Sequence, residues 1–158
     1  MDCGFARDSS WFRLRAAAVI IEDGCVLMVG NDTVDYLYTV GGAVHLGEMA
    51  EKAVVREVRE ETGIEYEVER LIFIHENFFR GQMGVLADLQ CHEVAFYFLM
   101  KPRGTQELES DSYGLDGKEF MQWVPLAEFT RHKAYPAFFA EKLLDLPDRI
   151  EHIVTIKD

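Results

Sequence analysis

The chain has 158 residues, of which 49% are hydrophobic, and its formal net charge at pH 7 is −12. A chain of this length and composition is expected to fold as one globular domain with a substantial core. The negative charge argues against a nucleic-acid duplex or an anionic membrane surface as a partner. A polyphosphate remains compatible with this charge, provided that metal ions neutralise both the ligand and its site.

The N-terminal part of the chain predicts short strands joined by turns. Residues 1–10 are expected to form a loosely ordered arm, and residues 11–158 a single domain. The apolar run over 13–22, RLRAAAVIIE, predicts a strand that is buried on both faces. Asp23-Gly24 favours a hairpin turn. After this turn, a returning strand is predicted over 25–30, a loop over 31–35, and a short strand over 36–40 that leads into Gly41-Gly42.

The middle of the chain predicts one helix, from about Glu48 to Thr62, that ends at Gly63. At about 100° per residue, its carboxylates share an arc of about 100° with small apolar side chains. The carboxylates on this arc are Glu57, Glu60 and Glu61, the apolar neighbours are Ala50, Ala53 and Val54, and the basic residues Lys52, Arg56 and Arg59 lie on the other side.

The shared arc favours a metal site over a plain solvated helix face. Carboxylates directed toward protein repel one another and lose hydration, which costs free energy unless a cation lies among them. No basic residue of the helix lies on that arc, so the charge must come from elsewhere. A hard divalent cation, Mg²⁺ or Mn²⁺, meets this requirement.

The C-terminal part predicts four further strands, two long loops and two helices. A loop as long as 102–118 in a compact domain is usually functional or mobile. The predicted elements are, in order, a strand over 66–79, a loop over 80–90, a strand over 91–101, a loop over 102–118, a strand over 119–124, a short helix over 126–131, an amphipathic helix over 136–146 and a terminal strand over 150–156.

Cys3, Cys25 and Cys91 are scattered and show no CxxC spacing. A zinc site or a disulfide framework is therefore not expected, and free thiols indicate a reducing compartment. The first ten residues contain no apolar segment of the kind found in signal peptides. No apolar run approaches the about 18 residues that span a membrane. We therefore predict a cytoplasmic protein.

The helix and the glycine pair before it resemble the Nudix box. Every specified position of that motif is filled, in the order Gly42, Glu48, Arg56-Glu57-Val58, Glu60-Glu61 and Gly63-Ile64. The resemblance implies an α/β fold, a Nudix-type α/β/α sandwich with a mixed sheet and the box helix packed on it. It also implies Mg²⁺-dependent (or Mn²⁺-dependent) hydrolysis of the pyrophosphate bond in a nucleoside diphosphate linked to another moiety.

The resemblance leaves the substrate open among a nucleoside triphosphate, a nucleotide sugar, ADP-ribose and a dinucleotide polyphosphate. A second hypothesis is a nucleotide-sensing binding module of the same fold that does not hydrolyse its ligand. Such modules usually lack box carboxylates, and all of them are present here. A third hypothesis is a related enzyme for a non-nucleotide phosphate, or an isomerase of this fold. Many relatives are dimers, so a homodimer is compatible with the resemblance.

The resemblance implies that Glu57 and Glu61 are the principal metal ligands and that Glu60 assists, directly or through water. The carbonyl group of Gly41 is implied to join the metal shell. Arg56 is expected to orient a carboxylate by a charge-assisted hydrogen bond. Glu48 has two interpretations, a stabiliser of the helix N-terminus and a residue that orients the catalytic site.

Two acids outside the box, Glu93 and Glu119, are candidates for a further ligand or the general base. Glu119 is preferred as the metal ligand, because it precedes Trp123 by four residues in a strand-entry region where some relatives hold an extra ligand. Glu93 lies in an apolar strand and needs a partner, so it is either structural or part of the site. The general base is left unassigned.

Substrate contacts are expected from aromatic and polar side chains near the box. The candidate aromatic residues are Tyr36, Tyr38, Phe78 and Phe79, with core packing as the alternative for each; Tyr38 and Phe78 are assigned to the substrate site together with His45 and Glu93. His45 occupies an unconstrained position where many relatives carry glutamate. Val40 stands where relatives often carry proline, which predicts a less rigid entry to the glycine pair.

Overall fold

The structure, a computed structural model, describes residues 1–109, 113–114 and 117–158. Strands and helices account for most of the described residues. The strands are β1 (Gly4–Arg7), β2 (Ser10–Val19), β3 (Ile21–Glu22), β4 (Cys25–Asn31), β5 (Tyr38–Thr39), β6 (Gly41–Ala43), β7 (Val68–Arg80), β8 (Gln90–Met100), β9 (Tyr113–Gly114), β10 (Gly117–Pro125) and β11 (Glu151–Ile156); the α-helices are α1 (Ala50–Thr62) and α2 (Phe139–Lys142), and 3₁₀ helices span Gly84–Leu86 and Leu126–Arg131.

The strands form two sheets. The first has the order β1-β2-β8-β7-β11, with β6 paired to β2 beside β1. In it, β2 runs parallel to β8 and β11 runs parallel to β7, whereas β7 and β8 are antiparallel. The second sheet is antiparallel, with the order β3-β4-β10-β9 and β5 paired to β4. The chain passes from the second sheet to the first between β5 and β6, immediately before the glycine pair.

Strand β2 divides the core into two layers. Ala16 and Ala18 pack toward α1, and Ala17 and Val19 pack toward α2. All four side chains are buried, because alternate residues of a strand point to opposite faces. Helix layers therefore lie on both sides of the sheets. This arrangement confirms the predicted α/β/α sandwich and the strand buried on both faces.

The two layers use different side chains. On one side, Ala53, Val54 and Val58 of α1 pack on the sheets and are fully buried. On the other side, Phe139 and Leu143 close the core although α2 has only four residues. The predicted helix over 136–146 is thus wrong in length. Burial of its apolar side chains fixes this segment, and most helix stability in proteins comes from such packing rather than from propensity.

The N-terminal residues differ from the expected loose arm. Gly4–Arg7 form β1, which pairs antiparallel with β2. The turn between these strands contains Asp8, which adopts a left-handed conformation with φ of 52°. The rings of Phe5 and Phe12, which are paired residues, stack with centroids 5.8 Å apart. Backbone pairing and this aromatic contact therefore order residues that the polar composition alone placed outside the fold.

The other predicted boundaries shift by a few residues. Helix α1 begins at Ala50, so Glu48 precedes it instead of forming its first turn. The hairpin at Asp23-Gly24, the 3₁₀ helix Leu126–Arg131 and the terminal strand β11 are confirmed. Part of the predicted loop over 102–118 lies outside the described residues. Among the residues that are described, no helix is long and apolar enough to cross a membrane.

We expect Phe139→Ala to lower the free energy of unfolding by about 3–5 kcal/mol, because the side chain is buried and its removal leaves a cavity. Its ring packs among those of Phe73, Tyr97 and Phe129. Chemical denaturation measures the change. The control is Phe120→Ala, whose side chain is 47% exposed and whose loss should cost about 1 kcal/mol or less. Equal losses for the two variants would contradict the assigned core.

Candidate functional site

The glycine pair brings three elements into close contact. Gly41 has φ of 148°, and a Cβ atom there would lie 2.3 Å from the carbonyl oxygen of Ala16. A Cβ atom on Gly42 would lie 2.5 Å from Oε1 of Glu57. Glycine is therefore required at both positions, so that β6 can pair with β2 while the Glu57 carboxylate lies against its backbone.

Glu61 is a partly buried carboxylate of the predicted metal site. Its Oε2 accepts the Gly41 N–H group at 3.1 Å. Burial raises the pKa of Glu61 to about 8, although Arg15 and the Gly41 N–H group act to lower it. The negative charges of Glu119 and Glu57 raise this pKa further. A carboxyl group in this position binds either a proton or a cation near neutral pH.

The position of these carboxylates on helix α1 adds to the need for a positive charge near them. Glu57 and Glu61 lie in its C-terminal half, and the helix ends at Gly63 in a left-handed conformation with φ of 74°. The C-terminal end of a helix carries a partial negative charge, so carboxylates there are unfavourable without a counter-charge. The backbone thus adds to the repulsion among the side chains.

Arg56 ties α1 to the loop that precedes it. Its Nε and Nη2 atoms donate to the two oxygens of Glu48 at 2.9 and 3.0 Å, a bidentate geometry. Its Nη1 donates to Oε1 of Glu57 at 2.7 Å, and Nη2 also donates to the carbonyl oxygen of Ala43 at 3.2 Å. One guanidinium group therefore orients two carboxylates and a strand, as the sequence interpretation of Arg56 predicts.

Glu48 is held from both sides. Besides the two bonds from Arg56, its Oε2 accepts the backbone N–H of His45 at 3.0 Å. The hydrogen bonds from Arg56 are the main cause that lowers the pKa of Glu48 to about 2. Since Glu48 precedes α1, the interpretation as a group that orients the site accounts for these contacts better than a first-turn helix stabiliser does.

Glu60 lies at the rim. Its side chain is 59% exposed, and its Oε2 is 3.7 Å from Nη1 of Arg56. The structure does not bring it against the glycine pair as it does Glu57. A contribution from Glu60 to metal binding therefore stays a prediction.

Of the two acids outside the box, Glu119 lies near the carboxylates of α1. Its charge raises the pKa of Glu61, and its Oε1 accepts the hydroxyl of Tyr38 at 3.2 Å. That hydroxyl also accepts a hydrogen bond from Nδ2 of Asn31 at 3.1 Å. Partial burial is the main cause that raises the pKa of Tyr38 to about 12, so Tyr38 is a stable hydrogen-bond donor at neutral pH.

Glu93 has a different environment. Its carboxylate accepts hydrogen bonds from Nε of Arg13 at 2.9 Å and from Nη2 at 2.5 Å. Burial alone would raise the pKa of Glu93, but Arg13 and Arg15 hold it below its usual value. Glu93 alternates with Ala95 and Tyr97 on the face of the first sheet that packs toward α2. The structure thus supplies the partner that a buried acid needs, and a substrate contact from Glu93 stays a prediction.

His45 and Phe78 belong to other groups of side chains. The His45 ring is half-exposed, with its nitrogens 3.6 Å from Asp2 and 3.8 Å from Glu48. Phe78 stacks on His92 with ring centroids 4.2 Å apart, whereas Tyr38 meets Tyr36 edge to face at 6.4 Å. The two aromatic residues assigned to the substrate therefore do not share one stacking surface in the contacts that are described.

The donor set fits a hard divalent cation. In the described part of the chain, no three His, Cys, Asp or Glu side chains are already gathered as a metal cluster. Glu57 accepts a hydrogen bond from Arg56, and Glu61 accepts one from the Gly41 amide. The Glu57 carboxylate lies against the backbone of Gly42, and the partly buried Glu61 has acidic neighbours, so the site nevertheless provides several oxygen donors for a cation. Glu57, Glu61 and Glu119, with the Gly41 carbonyl, are the residues that would hold the ion.

Arg15 is a residue of the site that the motif does not include. It is 8% exposed, and its charge acts on Glu61 and also on Glu93. Its Nη1 donates to Oγ1 of Thr39 at 2.9 Å, and its Nη2 donates to the Thr39 carbonyl oxygen at 2.8 Å. An arginine that immediately precedes an apolar run was a signal in the sequence, but its contacts depend on how the fold places β5 next to β2.

The comparisons with known proteins agree on one family. A model of the NUDIX domain matches residues 11–145. A MutT-like protein from Streptomyces ambofaciens is 32% identical over 133 residues, which are 84% of this chain and 75% of that protein.

Solved structures show the same fold. A MutT NUDIX hydrolase from Burkholderia pseudomallei matches with a TM-score of 0.55 and 25% identity, over 73% of this chain and 84% of that one. A MutT protein from Bacillus halodurans matches with a TM-score of 0.64 and 19% identity, over 92% of each chain. The second likeness concerns the fold alone.

We expect the Glu48–Arg56 pair to stabilise the protein in a pH-dependent way. The folded-state pKa of Glu48 is lowered to about 2 from a reference value of 4.5, so its contribution is full above about pH 4.5 and declines as the pH falls toward 2. Glu48→Gln should therefore lower the free energy of unfolding by about 2 kcal/mol at pH 7. Urea denaturation at pH 7, 5 and 3.5 measures whether the difference shrinks with acid. A constant difference would contradict the charged pair.

Proposed function

The chain belongs to the Nudix family of pyrophosphohydrolases, and we propose that it hydrolyses the pyrophosphate bond of a nucleoside diphosphate linked to a further moiety, with Mg²⁺ or Mn²⁺ held by the carboxylates of α1. The observation that carries this proposal is the partly buried Glu61, which meets the charges of Glu57 and Glu119 and accepts a hydrogen bond from the Gly41 amide. Such a carboxylate group is costly in a protein that has no use for a cation.

The residues of this chain have separable tasks in the proposed reaction. When bound, a divalent ion supplies neutralisation of the phosphate oxygens and a more acidic water molecule. Glu57, Glu61 and the Gly41 carbonyl provide its oxygen ligands. Arg56 fixes the orientation of Glu57 and, through Glu48, the position of the loop before α1.

Tyr38 and Glu119 line the side of the proposed site that faces the carboxylates of α1. The Tyr38 hydroxyl donates to Glu119, and the Tyr38 ring continues through Tyr36 to Tyr135 by edge-to-face contacts. Aromatic side chains with a few fixed polar groups are the usual surroundings of a bound nucleoside. We propose that this row of tyrosines contacts the substrate and that Glu119 serves as a metal ligand.

The substrate class is tested with a panel of nucleoside triphosphates, nucleotide sugars, ADP-ribose and dinucleotide polyphosphates. Product release is followed with Mg²⁺, with Mn²⁺ and with a chelator. Cleavage of one class that the chelator abolishes would support the proposal and identify the substrate. Thermal stabilisation by a nucleotide without any cleavage would instead support the binding module that senses nucleotides.

Replacing a proposed ligand should separate catalysis from folding. We expect Glu57→Gln to reduce kcat by about 100-fold or more, because a lost ligand charge removes several kcal/mol of transition-state stabilisation and about 1.4 kcal/mol corresponds to a factor of ten. Steady-state kinetics at saturating Mg²⁺ measures this loss, and circular dichroism verifies the fold.

The matched control is Lys52→Gln, an exposed residue of the same helix. It should leave kcat within about twofold, because surface substitutions of this kind have small effects. Full activity of Glu57→Gln would refute its role, and an equal loss in Lys52→Gln would contradict the assigned orientation of α1.

A further inference from the structure

The backbone that enters the glycine pair is fixed by a side chain from another strand. Thr39 is 1% exposed and lies two residues before Gly41. The Arg15 guanidinium reaches it with two bonds, one to Oγ1 and one to the carbonyl oxygen. A planar guanidinium that meets two acceptors on one residue fixes that residue in both position and orientation.

The same short stretch holds a carboxylate of the site. After Thr39 and Val40, the Gly41 N–H group donates to Oε2 of Glu61 at 3.1 Å. Val40 is fully buried, and its carbonyl oxygen accepts the N–H of Ala18. The chain from Thr39 to Gly41 is therefore anchored to β2 at successive residues, and we expect a displacement of Thr39 to alter the position of the amide that orients Glu61.

We propose that Arg15 is a positioning residue for metal binding, which acts through Thr39 on the Gly41 amide and thereby on Glu61. Groups that orient metal ligands typically change metal affinity by about 10–100-fold when they are altered. The inference rests on the proposed function for its metal, but its geometric part concerns the Thr39–Gly41 backbone and is testable without one.

The bidentate contact also restrains the segment that enters the glycine pair, which contains no proline. Val40 stands immediately before the glycine pair and leaves its own φ angle free, whereas a proline would fix it. The two bonds from Arg15 restrict the preceding residue instead. Arg15 also brings a buried positive charge close to Glu61, so one side chain both orients and partly neutralises the site.

The first test uses Arg15→Lys, which keeps the charge and removes the two-pronged contact. We expect its dissociation constant for Mn²⁺, measured by electron paramagnetic resonance without substrate, to rise by about 10-fold or more. The control is Arg70→Lys, since Arg70 also donates from Nη2 to a backbone carbonyl, that of Pro147, at 2.6 Å. This control should lose some thermal stability and keep wild-type Mn²⁺ affinity.

Thr39→Val removes one of the two acceptors and keeps the side-chain shape. Its effect on Mn²⁺ affinity should be smaller than that of Arg15→Lys and in the same direction. If the two residues act together, the double variant will show less than the product of the two single fold-changes. Independent, fully multiplicative effects would overturn the proposed path through Thr39.

Hydrogen exchange of the Gly41 amide, measured in the presence of a chelator, tests this inference without any bound metal. It therefore separates the role of Arg15 from the proposed function. We expect exchange at least about 10-fold faster in Arg15→Lys than in wild type, and unchanged in Arg70→Lys, because the local opening of the segment becomes easier. Unchanged exchange and Mn²⁺ affinity in Arg15→Lys would overturn the inference while leaving the metal-dependent reaction intact. If wild type binds no Mn²⁺, the proposed function fails, and the Gly41 exchange alone decides the role of Arg15.

Discussion

Negative charge collected at the C-terminal half of one helix is the constraint on which this structure depends. Glu61 lies in the last turn of α1, where the helix dipole is itself unfavourable for a carboxylate, and Glu57 lies one turn before it. Two guanidinium groups partly neutralise them from opposite sides, Arg56 from the helix and Arg15 from strand β2. Burial is the main cause that raises the pKa of Glu61, and the charges of Glu119 and Glu57 add to it. A divalent ion would favour the charged form of this carboxylate. The fold therefore holds these carboxylates close together at a cost in free energy, and the proposed cation would lower that cost.

The sheet architecture brings the backbone of the glycine pair and the carboxylates of α1 together. Strand β2 is buried on both faces and pairs with β6 along one edge, so the glycine pair is fixed to a fully buried part of the core. The absence of side chains at Gly41 and Gly42 lets α1 place its carboxylates against this backbone. The strands thus supply the backbone positions, and the helix supplies the carboxylates that we propose as metal ligands. Positioning of this kind is what metal-assisted hydrolysis requires.

Much of the fold was predictable because its signals are local. The buried strand, the hairpin at Asp23-Gly24 and the box helix each follow from a run of residues shorter than about 20. The N-terminal arm and the closing helix were mispredicted because their states depend on packing. Pairing with β2 orders β1, and the burial of Phe139 and Leu143 holds the last segment with a helix of only four residues. Neither contact leaves a periodic signal in the sequence.

By itself, the sequence determined the helix with its acidic arc, the glycine pair before it and the chemistry that these residues suit, because helical periodicity and turn preferences act over neighbouring residues. The tertiary structure decided the partners. It placed Glu119 near Glu61 and joined Glu119 to Tyr38, which lies 81 positions away in the sequence. It also paired Glu93 with Arg13, which lies 80 positions away. It also directed Arg15 to Thr39. Such pairings depend on strand register between distant segments, and charge compensation in the site is set by that register.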